Sequence, residues 1–562
     1  MALFILSKKT GKSMFKKHPK GLPVLFFTEL WERFGFYLLL GIFTLYMIAP
    51  DGMGFTRSYS ADIYGTYLAL VYLTPFLGGL LADRFLGYRK SIFIGGTLMG
   101  LGYLGLAIPG EATFYTSLLL IIVGNGFFKP NISTLVGRLY DNDKYRELKD
   151  RGFNIFYMGI NIGAFVCNFF AAFLRNNFGW SAAFTMAGVG MFLGLIWFWR
   201  GQKHVKEVDF ITPTKPEDTS ISQIVTIIFL PAAIAGLIGW FLPTLILGHP
   251  LLAQSTDAFI FACLPLIFYF FLLWKKGDKE EKRRLGALYA VFLAGGVFFM
   301  ILHQNGSAMT LWANDYTHRE MPAVVQGPLS TLGFAEEITS EPIEVPRVDG
   351  HGASIKDENG NPIIDKGPHP YLRNLPKEQW PKEGEKLALI NTEIFQSANP
   401  GFVIILTPLI VVLFSWLARR KKEPSTPGKI LLGVLVTAGA MIFMVGAVLA
   451  GDNGAEKVSA LWIISMYGIL TFGELCLSPM GLSLVSKIAP KRITALMMGG
   501  WFMATAIGNK LSGIISGMFI TIENKAVYFL MNAGAALLVA LILWILLKWL
   551  KNVVAEYTTT ND

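Results

Sequence analysis

Ionisable residues recur along one side of the first long apolar segment of the chain. Glu29, Glu32, Arg33, Phe36 and Tyr37 stand at offsets of 0, 3, 4, 7 and 8 residues inside the apolar run 23–48. These offsets place side chains on one face of an α-helix. Three ionisable side chains in one membrane span are too costly to face lipid, so we expect them to line a bundle interior or an aqueous cavity. A face that can take and release a proton is what an ion-coupled transporter needs.

The composition indicates the class of protein in which this face lies. Of the 562 residues, 53% are hydrophobic and only 16% are charged, which predicts a polytopic membrane protein. The net charge of +10 does not indicate nucleic acid, because the basic residues concentrate in alternate loops. Cys167, Cys263 and Cys476 lie far apart in apolar segments and predict neither a disulfide nor a metal site.

Apolar runs predict an all-α protein with fourteen membrane spans. The runs lie near 23–48, 61–82, 91–109, 114–137, 153–174, 180–199, 222–245, 256–274, 286–314, 399–418, 428–450, 457–485, 492–519 and 526–549. Alternate loops carry lysine and arginine clusters, whereas each opposite short loop holds at most one basic residue. This asymmetry, together with an even number of spans, predicts cytoplasmic termini and insertion in the plasma (inner) membrane.

The spans divide as six, two and six. We expect a cytoplasmic tail and six-helix bundle in 1–205, a two-helix hairpin in 222–275, a second bundle in 284–550 and a cytoplasmic tail in 550–562. The middle pair has few polar residues, which predicts a lipid-exposed linker outside any pathway. Two sets of six suggest pseudo-symmetric halves, with substrate bound at the midplane between them.

A polar insertion interrupts the second bundle on the predicted outer side, in 315–398. Its turn signal Asn359-Gly360-Asn361-Pro362 lies between short β-favouring stretches and predicts a small ordered cap with one hairpin. A flexible loop fits the same composition equally well.

A glycine-rich motif follows the second span, where residues 78–90 read GGLLADRFLGYRK. Its glycines permit close helix approach, and Asp83 with Arg84 stands where it can cap a helix or pair at an inner gate. The motif resembles the signature between helices 2 and 3 of the major facilitator superfamily, which implies that fold.

Three further segments narrow the resemblance. The fourth span carries GNGFFKPN at 124–131, the fifth carries FNIFYMGINIGA at 153–164, and the twelfth carries FGELCLSP at 472–479. Together with Glu-x-x-Glu-Arg-Phe in the first span, they closely resemble the proton-coupled oligopeptide transporter (POT) family. The resemblance runs across all fourteen spans and leaves only 315–398 outside it. The extra helix pair looks like the one that bacterial members insert between their halves.

A peptide transporter must bind a zwitterion, and the sequence offers groups for both of its ends. Arg33 and Lys129 suit a carboxylate, and the planar fork of arginine can make two parallel bonds. Glu474 suits an ammonium group, while Asn161 and Asn399 can hydrogen-bond peptide groups. The resemblance implies the same roles for these residues. It also implies that Tyr37 and Tyr72 contribute hydroxyls and that Phe299 and Trp501 bound the side-chain pockets. Ser478 is a further candidate polar group of the site.

The ninth span departs from the family at two positions. Peptide-transporting relatives usually place an acid where His303 stands and tryptophan where Phe299 stands. That acid normally pairs with the first-span arginine as the outer side closes, and histidine cannot be an anion. We therefore expect proton coupling to depend mainly on Glu29 and Glu32, with His303 as a hydrogen-bond partner or second titrating site. Phe36 also stands where the family often has tyrosine, and Gly65 where animal members have histidine.

Each assignment has a structural alternative. The buried charges could form an ion network that holds helices together, and Asn161, Asn399 and Ser478 could hydrogen-bond neighbouring helices. The aromatic residues could simply pack. Lys510 in the thirteenth span is expected to snorkel to the outer interface rather than bind substrate.

The predicted function is proton-coupled import of di- and tripeptides by alternating access, with protons as coupling ions and no other cofactor. The expected partners are peptides, protons and membrane lipids, without nucleic acid, and the chain can act as a monomer. Two alternatives stay open: a non-peptide or anionic substrate such as nitrate, which plant relatives carry, and an interaction protein whose insertion binds a partner. An enzyme is not expected, since the sequence contains no nucleotide loop, metal-ligand cluster or nucleophile motif.

Overall fold

The computed structural model describes residues 15–211, 225–322, 326–327, 330, 333–347, 355, 357, 363–490 and 493–558, and these are mainly helical. The helices of the first half are α1 (Gly21–Ile48), α2 (Arg57–Leu81), α3 (Tyr88–Leu106), α4 (Glu111–Leu139), α5 (Lys149–Phe178) and α6 (Trp180–Gly201). The inserted hairpin is α7 (Leu230–Leu247) and α8 (Gln254–Lys276). The remaining helices are α9 (Lys279–Leu302), α10 (Ala308–Tyr316), α11 (Ala398–Arg419), α12 (Thr426–Ala450), α13 (Ala460–Ile488), α14 (Thr494–Thr521) and α15 (Lys525–Thr558).

Long helices stand at the positions of the predicted spans, and they agree with those spans to within a few residues over most of the chain. Eleven helices of the described residues are long and apolar enough to cross a membrane. Three more long helices, α1, α3 and α14, lie at the predicted first, third and thirteenth spans. The all-α membrane architecture is therefore confirmed, while the total of fourteen crossings and the cytoplasmic termini remain predictions.

The ninth predicted span, 286–314, is not one continuous helix. Helix α9 ends at Leu302, a 3-10 turn covers His303–Gly306, and α10 begins at Ala308. The side chain of Asn305 accepts a hydrogen bond from the backbone N–H of Gly306 at 2.8 Å, which competes with the helical pattern.

Threonine hydroxyls donate hydrogen bonds to two backbone carbonyls at this break. Thr310 Oγ1 donates to the carbonyl of Asn305 at 2.8 Å, and Thr44 Oγ1 donates to that of Gly306 at 2.5 Å. A Cβ atom at Gly306 would meet Tyr64 Oη at 2.3 Å, so any larger residue at this position would require the Tyr64 side chain to move. The break is thus stabilised by residues from α1 and α2, which inspection of the ninth span alone does not reveal.

The described residues of the insertion include two strand pairs. Strands β1 (Ala335–Ile338) and β4 (Leu387–Ile390) pair antiparallel, as do β2 (Ile343–Pro346) and β3 (Ile364–Gly367). The prediction of one hairpin was therefore incomplete, and its turn residues 359–362 lie outside the described residues. A small core of Ile338, Tyr371, Leu372, Leu375 and Leu389 packs under the β1–β4 pair.

Contacts divide the chain into two compact units, one of 1–39 and 74–214 and one of 40–73 and 215–562. In the first unit α2 and α4 approach backbone to backbone, because a Cβ atom at Gly78 would meet the carbonyl of Gly126 at 2.0 Å. The second unit holds the last part of α1 and the first part of α2 together with the C-terminal helices. The sequence had placed those two parts in the first bundle.

The inserted hairpin is mostly exposed, as predicted for a pair of lipid-facing helices. Its polar content was underestimated, however. Thr256 and Asp257 in the first turn of α8 are buried, and Asp257 accepts hydrogen bonds from the backbone N–H groups of Leu251 and Leu252 at 2.7 and 3.2 Å.

Candidate functional site

The predicted acidic and basic face of α1 exists as a contact group in the first unit. Glu32 accepts hydrogen bonds from Arg33 Nε and Nη2 through both carboxylate oxygens. Glu29 Oε1 lies 3.5 Å from Arg33 Nε, one helical turn away. All three residues are at most 2% exposed. Buried charges are tolerated only when paired, and here one guanidinium is shared between two carboxyl groups.

Lys129 on α4 completes this group in the same unit. It interacts electrostatically with Glu29, Glu32 and Arg33. The close approach of α2 and α4 at Gly126, less than one turn before Lys129, fixes the depth of this part of α4. Two acids and two bases sum to zero when all are ionised. Addition of one proton to a carboxylate would leave the group with one positive charge.

One buried oxygen of the group has no hydrogen-bond partner among the described residues. Glu29 Oε2 is buried and accepts no hydrogen bond from any described residue. An unpaired carboxylate oxygen in a buried site carries a desolvation cost that a bound proton removes. Glu29 is therefore suited chemically to bind and release a proton.

The residues that follow along α1 form a wall for Arg33. The guanidinium lies 4.6 Å from the centroid of the Phe36 ring, a cation–π contact, and Phe36 in turn makes an edge contact with Tyr37 at 5.3 Å. Phenylalanine in place of the family's tyrosine thus still holds Arg33 through the ring face. Asn161 on α5 donates to the carbonyl of Tyr157 at 2.9 Å, which is a bond within its own helix.

The second unit contains the predicted anionic group. Asn399 Nδ2, in the first turn of α11, donates to Glu474 Oε2 and to Thr471 Oγ1, both at 2.9 Å. Glu474 forms no salt bridge with any residue that the structure describes. One turn further along α13, Ser478 Oγ is buried and has no hydrogen-bond partner among those residues. Glu474 is thus a half-buried acid positioned by an amide, and a cationic ligand group would compensate its charge.

His303 lies in a polar and aromatic contact group of the second unit. Its Nδ1 lies 2.5 Å from Asn509 Oδ1, and its Nε2 lies 3.5 Å from the Tyr72 hydroxyl. Asn509 Nδ2 donates to the carbonyl of Leu68 at 3.4 Å, and this bond orients the Asn509 amide. Because the amide oxygen then faces the imidazole, we assign the imidazole hydrogen to Nδ1. The imidazole stacks on Phe299 at 5.5 Å between ring centroids.

Phe299 also makes an edge contact with Trp501 at 6.2 Å. The four predicted residues Tyr72, Phe299, His303 and Trp501 therefore lie together in one unit, and His303 is a hydrogen-bond partner, as one of the two expectations had it.

The predicted inner-gate residues lie in a five-residue π-helical turn, Ala82–Leu86, which ends at Gly87 with φ of +77°. Asp83 accepts a hydrogen bond from the Tyr88 hydroxyl, and Arg138 of α4 donates to the same hydroxyl at 2.7 Å. Arg84 occupies the same turn. The Tyr88 hydroxyl thus connects Asp83 to Arg138 of α4 within the first unit, and the role of Asp83 as a gate residue remains a prediction.

Sequence reasoning missed two ion pairs near the predicted outer ends of helices. Lys510 is 1% exposed and binds Asp62 at 2.6 Å, so the expectation that it snorkels to the interface was wrong. Arg57 binds Asp315, whose carbonyl accepts from Lys457 Nζ at 2.6 Å. A usable signal existed, since Asp62 and Lys510 are opposite charges inside two membrane-length apolar segments.

Comparisons with known proteins identify a family and several relatives that this chain resembles. A family model described as POT family matches residues 89–326 and 386–534, which together exceed half of the chain. The uncharacterized transporter YclF of Bacillus subtilis (strain 168) is 31% identical over 530 residues, 93% of this chain and 92% of that protein. A di-/tripeptide transporter of Lactococcus lactis subsp. cremoris is 29% identical over 554 residues, 96% of this chain and 97% of that protein.

A solved structure shows the same fold. The crystal structure of a POT family transporter in complex with 5-aminolevulinic acid matches with a TM-score of 0.73 and 26% identity, covering 95% of this chain and 97% of that one.

Proposed function

The chain belongs to the POT family of multi-pass plasma-membrane transporters, and from this premise we propose that it imports di- and tripeptides together with protons by alternating access. The observation that carries the proposal is the group of Glu29, Glu32, Arg33 and Lys129, in which the buried Glu29 Oε2 has no hydrogen-bond partner among the described residues. Protons are its only proposed cofactor, and its proposed partners are peptides, protons and membrane lipids.

The proposed first step is protonation of this group from the outer side. A proton on Glu29 or Glu32 weakens the hold of that carboxyl on Arg33 or Lys129 and leaves the group with an excess positive charge. The peptide carboxylate then binds to the released cation, and Arg33 can offer it two parallel N–H donors. Proton and peptide binding are thus coupled through charge, because either one alone leaves an uncompensated charge in a buried site.

The proposed partner of the peptide's amino end is Glu474. This acid already accepts from Asn399 and forms no ion pair within the described residues, so an ammonium group would neutralise it. Asn161, Tyr37, Tyr72 and Ser478 would add hydrogen bonds, and Phe299 with Trp501 would bound the side-chain space. The named relatives support a zwitterionic substrate, since one is a di-/tripeptide transporter and another binds 5-aminolevulinic acid, which carries an amine and a carboxylate.

The driving force is sufficient for accumulation. One proton moving through 100 mV contributes about 2.3 kcal/mol. Each tenfold step in peptide concentration costs about 1.4 kcal/mol, so one proton supports an accumulation of more than tenfold before any pH gradient is added.

The test is uptake of radiolabelled alanylalanine into proteoliposomes with an acidic outside and a membrane potential that is negative inside. Accumulation above the external concentration that collapses with a proton ionophore, and that unlabelled di- and tripeptides inhibit, supports the proposal. Inhibition by nitrate but not by peptides would overturn the peptide assignment in favour of an anionic substrate. Uptake that ignores the proton gradient would overturn the coupling.

A further inference from the structure

Lys510 lies in a closed hydrogen-bond network that the transport mechanism above does not use. Its ammonium group donates to Asp62 Oδ1 at 2.6 Å, to Thr66 Oγ1 at 2.7 Å and to Ser255 Oγ at 3.0 Å. An ammonium group has three donors, so all of them are satisfied. The side chain of Lys510 is 2% exposed, whereas that of Asp62 is 17% exposed. Asp62 is therefore the member of the pair that water can reach.

The inserted hairpin supplies two of the remaining bonds. Thr256 Oγ1 donates to Asp62 Oδ1 at 2.9 Å, and Ser255 Oγ donates to Asp62 Oδ2. Ser255 accepts from Lys510 and donates to Asp62, so it connects both charges. The first turn of α8 is thus attached to α2 and α14 through polar contacts. A helix pair that only filled space in the lipid would not need hydroxyl groups aimed at a buried ion pair.

Backbone packing brings the two charged residues together. A Cβ atom at Gly65 would meet Gly513 Cα at 2.7 Å and the carbonyl of Lys510 at 3.2 Å. The glycines therefore allow α2 and α14 to touch, and the ion pair lies within one turn of that contact. The neighbouring Asn509 binds the carbonyl of Leu68 on α2. In the conformation described, α2 is closed on α14 at the end that the predicted topology places outside.

We propose that Asp62 and Lys510, together with Ser255 and Thr256 of the inserted hairpin, form an extracytoplasmic latch that a proton on Asp62 releases. The proposal rests on the proton-coupled cycle proposed above. A proton from the outer medium binds a carboxylate oxygen of Asp62, the pair loses its charge attraction, and α2 separates from α14. The latch thus supplies an acid on the outer side of the transporter. The ninth span lacks such an acid, because His303 stands where relatives usually have one.

Two other titratable groups bear on this latch. Asp257 of α8 interacts electrostatically with Lys510, but its own oxygens accept from the backbone N–H groups of Leu251 and Leu252. His303 at the end of α9 binds Asn509, the residue before Lys510. Of the three titratable groups Asp62, Asp257 and His303, Asp62 is the one that bonds directly to the Lys510 ammonium group.

The experiment measures opening of the outer side by the distance between spin labels on Glu111→Cys and Glu523→Cys in the full-length protein in nanodiscs. Both positions are exposed, and the native Cys167, Cys263 and Cys476 are buried. At pH 8 we expect Asp62→Asn to raise the ratio of long to short distances by about tenfold or more, since breaking one partner of a buried pair is costly. Wild type should show the same direction of change between pH 8 and pH 5, and Asp62→Asn should lose most of that pH response.

Two further variants keep the proposal testable if Asp62→Asn folds poorly. The double variant Ser255→Ala, Thr256→Val leaves both charges in place and removes the hairpin hydroxyls, so the long-distance population should rise at pH 8 by a smaller factor. Asp257→Asn is the matched control, which removes a nearby carboxylate that does not contact Lys510, and it should change the ratio less than about twofold. An equal rise in Asp257→Asn, or unchanged distances in both latch variants, overturns the latch.

These outcomes separate the latch from the proposed function. If wild type accumulates dipeptide with a proton gradient and the distances in the latch variants are unchanged, the transport proposal is supported and the latch is overturned. If wild type fails to accumulate dipeptide but Asp62→Asn opens the outer side, the proposed proton coupling is overturned and the structural role of the Asp62–Lys510 pair is supported.

Discussion

Glu32 and Arg33 bind each other through two parallel hydrogen bonds although they are consecutive residues of one helix. Consecutive side chains of a helix point about 100° apart and do not normally face each other. The arginine therefore folds back along its own helix, supported by the ring of Phe36. Because both partners belong to α1, the pair can open without movement of a neighbouring helix. One turn of one helix can thus bind a proton on Glu32 and a carboxylate ligand on Arg33 at the same time.

Replacement of Glu32 by glutamine should abolish uphill, proton-driven uptake. The amide cannot take up and release a proton, and it leaves Arg33 without its bidentate partner. Peptide counterflow at equal pH on both sides needs no net proton movement and should persist. Uptake driven by a pH gradient is compared with counterflow in the same proteoliposomes. Uphill uptake that survives in Glu32→Gln would contradict the coupling role.

Replacement of Arg33 by lysine should raise the KM for dipeptides by about tenfold or more, or about 1.4 kcal/mol of binding. Lysine keeps the charge but loses the planar fork and the ring contact with Phe36. Phe36→Leu is the matched control, since it removes only the ring contact, and its effect should stay near two- to fivefold. Kinetics of alanylalanine uptake measure both. Equal effects in the two variants would argue against bidentate carboxylate binding.

Glu474→Gln should weaken binding of peptides with a free amino terminus by about tenfold to a hundredfold, because a neutral amide cannot pair with an ammonium group. N-acetylated peptides have no such group. Competition assays should therefore find that wild type prefers free over acetylated dipeptide and that the variant largely loses this preference. A loss of equal size for both ligands would place Glu474 in a structural role.

His303→Asn should retain proton-driven uptake within about threefold of wild type. The asparagine amide can still donate to Asn509 Oδ1, which the imidazole Nδ1 now approaches at 2.5 Å. Coupling should survive because we propose that it depends mainly on Glu29 and Glu32. The measurement is the ratio of uptake with and without a pH gradient, alongside His303→Asp, which restores the acid common in the family. Loss of the gradient response in His303→Asn would instead make the imidazole an essential proton site.

The insertion should lose stability in acid because of His369. Burial lowers the pKa of His369 below its usual value of 6.5, with Glu336 opposing the shift and Arg319 adding to it. The neutral imidazole Nδ1 accepts from the backbone N–H of Tyr371 at 3.2 Å, a bond that a protonated ring cannot accept. The unfolded insertion therefore binds this proton more readily than the folded one, so stability present above pH 6.5 is lost as the pH falls.

Hydrogen exchange of the β1 and β4 amides, corrected for intrinsic rates, measures this effect between pH 7 and pH 5. His369→Gln removes the titrating group and should show a smaller loss of protection over that range. Equal pH responses in the two proteins would assign the acid sensitivity to another residue.

The sequence was sufficient for the positions of the helices and for the acidic face of α1. The first span was predicted at 23–48 and is observed at Gly21–Ile48, because bilayer thickness sets the length of an apolar run. The contact between Glu29 and Arg33 follows from an offset of four residues along one helix. Both are local properties, and local geometry can be read from residue spacing.

Properties that depend on distant residues required the tertiary structure. The break at His303–Gly306 depends on Thr44 and Tyr64, which belong to other helices. Lys510 was predicted to reach the interface because its flexible stem allows it, yet it binds Asp62, 448 residues away in the chain. The sequence determined that these two charges lie in apolar spans. Only packing of α2 against α14 at two glycines decided that they meet, because a buried charge binds whichever partner the fold brings within reach.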